Sequence, residues 1–316
     1  MPILFCLVIL FLIAAMLAWS GVRAWRSKNQ FLKWGGAGSA GLLALVVSAG
    51  IVLLGGGLLK LNARTAPVPT LKVAGTPGQI QRGGAIADSF CGACHSKTGT
   101  LTGGVDIGEH FPIRVGSFVS SNLTPAGQLR NWSDGEIFRA IRNGIDANGR
   151  WLIVMSYTNA GKLSDEDTEA LIAYIRSQPA AGETTPDPPD QLNPLGLMML
   201  AAGMLPGGKP VFGGAIKAPP HSPTAQYGEY ILSFQDCREC HGADLKGGVQ
   251  GQLPPIGPGL GLVKDWKLED FISTMRTGID PAGHELGEQM PWRPIGKMDD
   301  EELTAVYEYI TQLRGL

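Results

Sequence analysis

Acidic residues are missing from the opening of this 316-residue chain, where the first is Asp88. Charge is sparse throughout, at 17% Asp, Glu, Lys and Arg, and the formal net charge is only −2. That balance gives no global sign to steer a partner, and nothing points to nucleic-acid binding. The chain has no phosphate-cradling glycine loop and no nucleophile triad. Cysteine is scarce as well. Of five, Cys6 lies in an apolar segment and reads as a packing residue, and the other four fall in two short runs.

Those runs are Cys91-Gly92-Ala93-Cys94-His95 and Cys237-Arg238-Glu239-Cys240-His241. Each is Cys-x-x-Cys-His, the spacing that attaches a c-type haem. On a helix, cysteines at i and i+3 share a face and reach the two vinyl groups of one porphyrin. The histidine beside them is placed to bind iron from the proximal side. A zinc ribbon would bring its second cysteine pair about 15–20 residues after the first, whereas these pairs sit in separate halves of the chain. A thioredoxin-like pair needs a βαβ setting, which is absent. An internal disulfide leaves both histidines unexplained. The expectation is two haem c groups, held covalently by Cys91, Cys94, Cys237 and Cys240 and ligated by His95 and His241.

Two uncharged stretches, Pro2 to Val22 and Gly35 to Leu59, are each long enough to cross a hydrocarbon core, which takes about 20 residues. Arg23, Arg26, Lys28 and Lys33 lie between them. The positive-inside rule makes that connector cytoplasmic, with everything after the second span on the periplasmic side. The first stretch carries its positive charge after the apolar run, which favours a retained span over a cleaved signal peptide. The chain is expected in the inner, cytoplasmic membrane, multi-pass.

The rest reads as an internal repeat. Asn131-Trp132-Ser133 to Arg142-Asn143-Gly144-Ile145-Asp146 matches Asp265-Trp266-Lys267 to Arg276-Thr277-Gly278-Ile279-Asp280. Each copy then offers a methionine and closes with an acid-capped amphipathic helix, for which Ser164 and Asp299 suit the N-caps. Ser133 with Glu136 makes a capping box. The predicted organisation is a two-helix membrane anchor over 1–62, a haem domain over 75–179 and a second over 222–316. Residues 180–221 form a Pro-rich linker with a short apolar segment. That segment, Leu195 to Leu205, is too short to span. It reads either as an interfacial or partner-facing piece or as a strap between the two haem domains.

A six-coordinate carrier needs a second ligand per iron, usually methionine where a high potential is wanted. In the second domain Met290 leads, ahead of Met275, Met298 and His284. In the first, Met155 is the one methionine, with His110 as rival. Trp132, Trp266, Arg142 and Arg276 are candidates for haem-edge or propionate contact, or else packing and surface.

Taken with Asn122-Leu123-Thr124-Pro125, Leu163-Ser164-Asp165-Glu166-Asp167, Gly257-Pro258-Gly259-Leu260 and Met290-Pro291, these motifs resemble the class I cytochrome c superfamily. They are most similar to the cytochrome subunits of membrane-bound alcohol and sugar dehydrogenases. The resemblance covers both haem domains and not the N-terminal spans. It implies a mainly α fold of two tandem cytochrome c domains after two transmembrane helices. It further implies that the Pro258 carbonyl accepts the His241 ring N–H, a contact that orients the ligand. The first domain departs, with Ser121 where that proline would be and Ser156 after the methionine.

The leading function is electron transfer on the periplasmic face, from a quinol-oxidising or dehydrogenase partner to a soluble carrier, an oxidase or a reaction centre. Expected partners are integral membrane subunits of a larger complex, a soluble or membrane-bound redox protein, and the bilayer. The chain reads as the electron-transfer subunit of an oxidoreductase rather than a catalyst. The rivals are a peroxidase-like enzyme with one open haem and a haem-based sensor or assembly subunit.

Overall fold

The computed structural model describes residues 2–205, 207–252 and 254–313. In chain order the helices begin with α1 (Pro2–Trp25), α2 (Ala37–Leu61), α3 (Pro77–Ile86), α4 (Gly92–His95) and α5 (Asp134–Asn143). Next come α6 (Ile153–Tyr157), α7 (Asp165–Ser177), α8 (Pro194–Ala201) and α9 (Ala225–Phe234). The chain closes with α10 (Cys237–His241), α11 (Leu268–Thr277), α12 (Trp292–Ile295) and α13 (Asp300–Gln312). Strands β1 (Gly116–Phe118) and β2 (Asp190–Leu192) pair with each other. The fold is mainly helical, and it divides into two units. One is Met1–Arg64, Gly108–Ser117 and Gln191–Gly207, and the other is Thr65–Ile107, Phe118–Asp190 and Gly208–Leu316.

In the first unit, α1 and α2 are both long and apolar enough to cross a membrane. Their large side chains point outward, among them Phe5, Phe11, Leu42, Leu45 and Val52. Cys6 is exposed on α1 too, so it does not pack inside a core as expected. Between the helices, Trp25 and Trp34 meet edge to face at 5.0 Å, and the Lys33 ammonium lies 5.1 Å from the Trp25 ring. Aromatic and cationic residues of this kind collect at membrane–water interfaces.

The apolar segment around Leu195 becomes α8, which lies on α2. A side chain at Gly57 would overlap the Leu197 backbone, and Lys60 Nζ donates to the Leu200 and Ala201 carbonyls at 3.0 Å each. Those bonds satisfy the end of α8 that has no partners of its own. Leu197 and Leu200 are buried. The segment therefore packs on the second apolar helix, and the reading of a strap between the haem domains does not hold for α8.

The second unit contains both repeats. In the first, α3 crosses α7 at Gly83, where a Cβ would overlap the Ala170 carbonyl. In the second, α9 crosses α13 at Gly228, where a Cβ would overlap the Ala305 carbonyl. The same crossing, with a tyrosine (Tyr174, Tyr309) packed beside each glycine, marks the two copies as one design. The caps expected at Ser133, Ser164 and Asp299 all form, at 3.2, 3.0 and 2.8 Å from Glu136 N, Asp167 N and Glu302 N. Gly144 and Gly278 end α5 and α11 in the left-handed conformation.

A set of polar bonds joins the copies. Arg82 on α3 pairs with Asp167 at 2.8 Å and with Glu302 of α13 at 2.6 Å, and the Tyr230 hydroxyl of α9 donates to Asp167 at 2.6 Å. The Pro-rich stretch is tied down rather than free. Asn122, fully buried, donates to the Ala181 and Glu183 carbonyls at 2.8 and 2.9 Å, and Phe212 N–H donates to Asn143 at 2.8 Å. Asparagine and threonine side chains in the first repeat supply partners that an extended backbone otherwise takes from water.

Candidate functional site

A short π-helical turn, Ala87–Cys91, carries α3 into α4 and shifts the register just before the first Cys-x-x-Cys-His run. Such turns recur at functional sites. Cys91, Cys94 and His95 line an apolar cavity of about 220 Å³. Leu129, Ile137 and Ile141 form part of its wall, Trp132 another part, and Met155 on α6 faces the same space. The residues expected to hold the first haem are thus brought together. Burial pushes the Cys91 thiol up to about 12 and raises Cys94 as well. An apolar wall around two thiols, an imidazole and a thioether suits a porphyrin.

His95 is half-buried, and the loss of water around its ring lowers its affinity for a proton against the opposing pull of the Ser121 carbonyl. Its Nδ1 lies 2.8 Å from Ser121 O, and His241 Nδ1 lies 2.7 Å from Pro258 O. With Nδ1–H donating to a carbonyl, Nε2 keeps its lone pair for a metal. The contact expected at Pro258 is present. The departure at Ser121 costs nothing here, because the bond uses a backbone carbonyl that any residue has.

In the second repeat, burial likewise pushes the Cys237 thiol up to about 12, and His241 is buried. Met290 is half-buried against the core, whereas Met275 and Met298 are buried in it. His284 is exposed and bonded to Asp280 at 3.1 Å. The His110 side chain lies outside the described residues. Arg142 and Arg276 perform matched structural tasks. Arg142 donates to Leu163 O and Asp165 at 2.9 Å each, while Arg276 donates to Gly296 O and, at 2.9 Å, to Asp300. Each ties the loop before the last helix to the helix before it.

Sequence reasoning missed several residues. Gln235, Asp236, Pro291, Pro294 and Ile295 of the second repeat also line the first cavity, as does Asp190 from the Pro-rich stretch. Asp190 and Asp236 are half-buried carboxyls, and loss of water around them holds each at about 6, well above the usual range. No local motif marks them, since their role comes from tertiary packing.

Residues 78–175 match the family model for cytochrome c oxidase, cbb3-type, subunit III, and residues 225–314 match that for cytochrome c. Both repeats are cytochrome c domains. The chain is 26% identical over 281 residues to the fructose dehydrogenase cytochrome subunit of Gluconobacter japonicus, covering 79% of this chain and 55% of that one. It is 27% identical over 300 residues to a nicotinate dehydrogenase subunit of Pseudomonas putida, covering 87% and 25%. It is 29% identical over 97 residues to the cytochrome c subunit of the quinone alcohol dehydrogenase of Gluconobacter oxydans, covering 26% and 20%. The cytochrome therefore spans about half or less of the length of these relatives. It is a haem-binding, electron-transport protein similar to dehydrogenase cytochrome subunits.

Proposed function

We propose that this cytochrome carries two haem c groups and passes electrons between a membrane-associated dehydrogenase or quinol-oxidising partner and a separate acceptor. Cys91 and Cys94 would anchor the first haem, with His95 and Met155 as axial ligands. Cys237 and Cys240 would anchor the second, with His241 and Met290. Haem iron supplies the one-electron redox step when bound, and the protein sets its ligation and burial. The carrying observation is the matched pair of histidines, each held through Nδ1 by a backbone carbonyl with Nε2 left over.

This chain's own residues define the rest. The apolar wall of the first cavity keeps water from that site. The basic residues between α1 and α2 favour a cytoplasmic connector, and haem domains on the periplasmic face, in a multi-pass inner-membrane protein. Bonds between the repeats hold the two sites in a fixed relation, so electrons would enter by one and leave by the other.

A potentiometric titration of the purified protein, followed by visible and near-infrared spectra, tests the reading. Two high-potential waves, with the methionine-to-iron band present for both haems, are expected. A high-spin haem that binds carbon monoxide in the unmodified protein would overturn it in favour of a peroxidase-like or sensor role.

A further inference from the structure

The turn that carries Met155 has no cap of its own. Its N-cap position is Leu152, whose side chain accepts nothing from the first turn of α6. The missing acceptor comes from elsewhere in the chain. Asp190, first residue of β2, places Oδ2 on the Ile153 N–H, the first donor of α6. This donor lies two residues before Met155. Asp190, Pro189, Val154 and Met155 all line the first cavity.

We propose that Asp190 is the positioning residue for Met155: a carboxylate supplied from the Pro-rich stretch that fixes the turn presenting the axial sulfur. The inference rests on the reading that Met155 ligates the first haem. A free N-terminal turn of five residues has little intrinsic stability, and its orphan donors need a partner. The acceptor bond at Ile153 holds the backbone two residues short of the sulfur. A ligand loosened by an ångström or more leaves iron open. In the second repeat the corresponding turn is closed locally, with Trp292 N–H donating to Met290 O at 2.7 Å and the Trp292 ring packed on Gly278. The first ligand turn thus takes an acceptor from outside its domain, whereas the second is closed by its own repeat.

The test uses the full chain purified with its haems, as wild type, Asp190→Ala, Asp190→Asn and Met155→Ala. Readouts are the ferric methionine-to-iron band, the two midpoint potentials and carbon monoxide binding. Asp190→Ala is expected to remove about half of the band, shift one wave to lower potential and admit carbon monoxide at one haem. The second wave should stay in place, which reports an intact fold. Asp190→Asn retains one acceptor and is expected to restore most of the band. If Met155→Ala alters one haem while both Asp190 variants match wild type, the positioning role is overturned and the ligation reading stands. If Met155→Ala leaves band and potentials unchanged, the ligation reading fails, and the role of Asp190 with it.

Discussion

Replacing Arg82 by methionine should weaken the joint between the two haem domains more than any surface ion pair would. The guanidinium holds Asp167 through two bonds at 2.8 and 3.0 Å and Glu302 at 2.6 Å. The side chains of Asp167 and Glu302 are only 10% and 6% exposed. Methionine keeps the apolar stem but leaves two buried carboxylates without their cation. Breaking a buried pair costs about 3–5 kcal/mol. Arg82 itself is 23% exposed, and the acids keep the Tyr230 hydroxyl and the Asp299 N–H as donors. These put the expected loss near the lower end, at about 3 kcal/mol around pH 7.5. Guanidinium unfolding of the detergent-solubilised protein, followed by Soret circular dichroism, measures it. Adding Asp167→Asn or Glu302→Gln to the variant should recover part of the stability. A loss below about 0.5 kcal/mol, the range of exposed pairs, would show that the network does not join the domains.

Two further outcomes follow from local geometry. Gly83→Ala and Gly228→Ala each drive a methyl into a carbonyl of the crossing helix. Overpacking of this sort costs about 1–3 kcal/mol or more. Each should selectively lower the melting temperature and haem content of its own domain, and equal effects on both domains would contradict the separate crossings. Asp236 sits at φ 59° with its carboxyl raised to about 6 by burial, so its ionised form disfavours folding above that pH. Asparagine tolerates the left-handed conformation and can still accept from Asn159, which now donates through its backbone N–H at 2.8 Å and its amide at 2.5 Å. Asp236→Asn is therefore expected to stabilise by about 2 kcal/mol at pH 7.5, on the scale of about 1.4 kcal/mol per pKa unit. The gain should fade as pH falls from 6 to 4, and a gain that stays constant across that window would refute the cause.

What could be read directly from the chain was whatever local chemistry specifies. The Cys-x-x-Cys-His runs, the caps at Ser133, Ser164 and Asp299, and the two apolar helices each depend on residues within a turn or a span. Gly83 and Gly228 carry no local mark of their role, since the need for glycine lies in a helix about 80 residues away. The Pro-rich stretch was misleading in a physical sense. Its composition predicts a free, extended linker, yet part of it folds into α8 and Asn122, Thr124 and Asn143 of the first repeat bond to it. Composition says nothing of what such a segment leans on. Asp190 went unnoticed for that reason, as an acid in a linker.

The two repeats share one helical frame and differ in how each proposed methionine ligand is held. Met290 belongs to a turn closed by its own neighbours, Trp292 and Gly278. The turn of Met155 depends on Asp190, and its cavity is walled partly by Pro291, Pro294 and Ile295 of the other repeat. Pro291 directly follows Met290, so one short segment borders the first cavity and carries the second site's methionine. A displacement there would act on both sites, and the Pro-rich stretch touches both as well, through Asp190 at Ile153 and through Lys209, paired with Glu239 of α10 at 2.5 Å. Duplication thus supplied two equal frames, and the packing between them made the sites unequal. The difference lies in the methionine turns, where the first takes its acceptor from outside its repeat and the second from within.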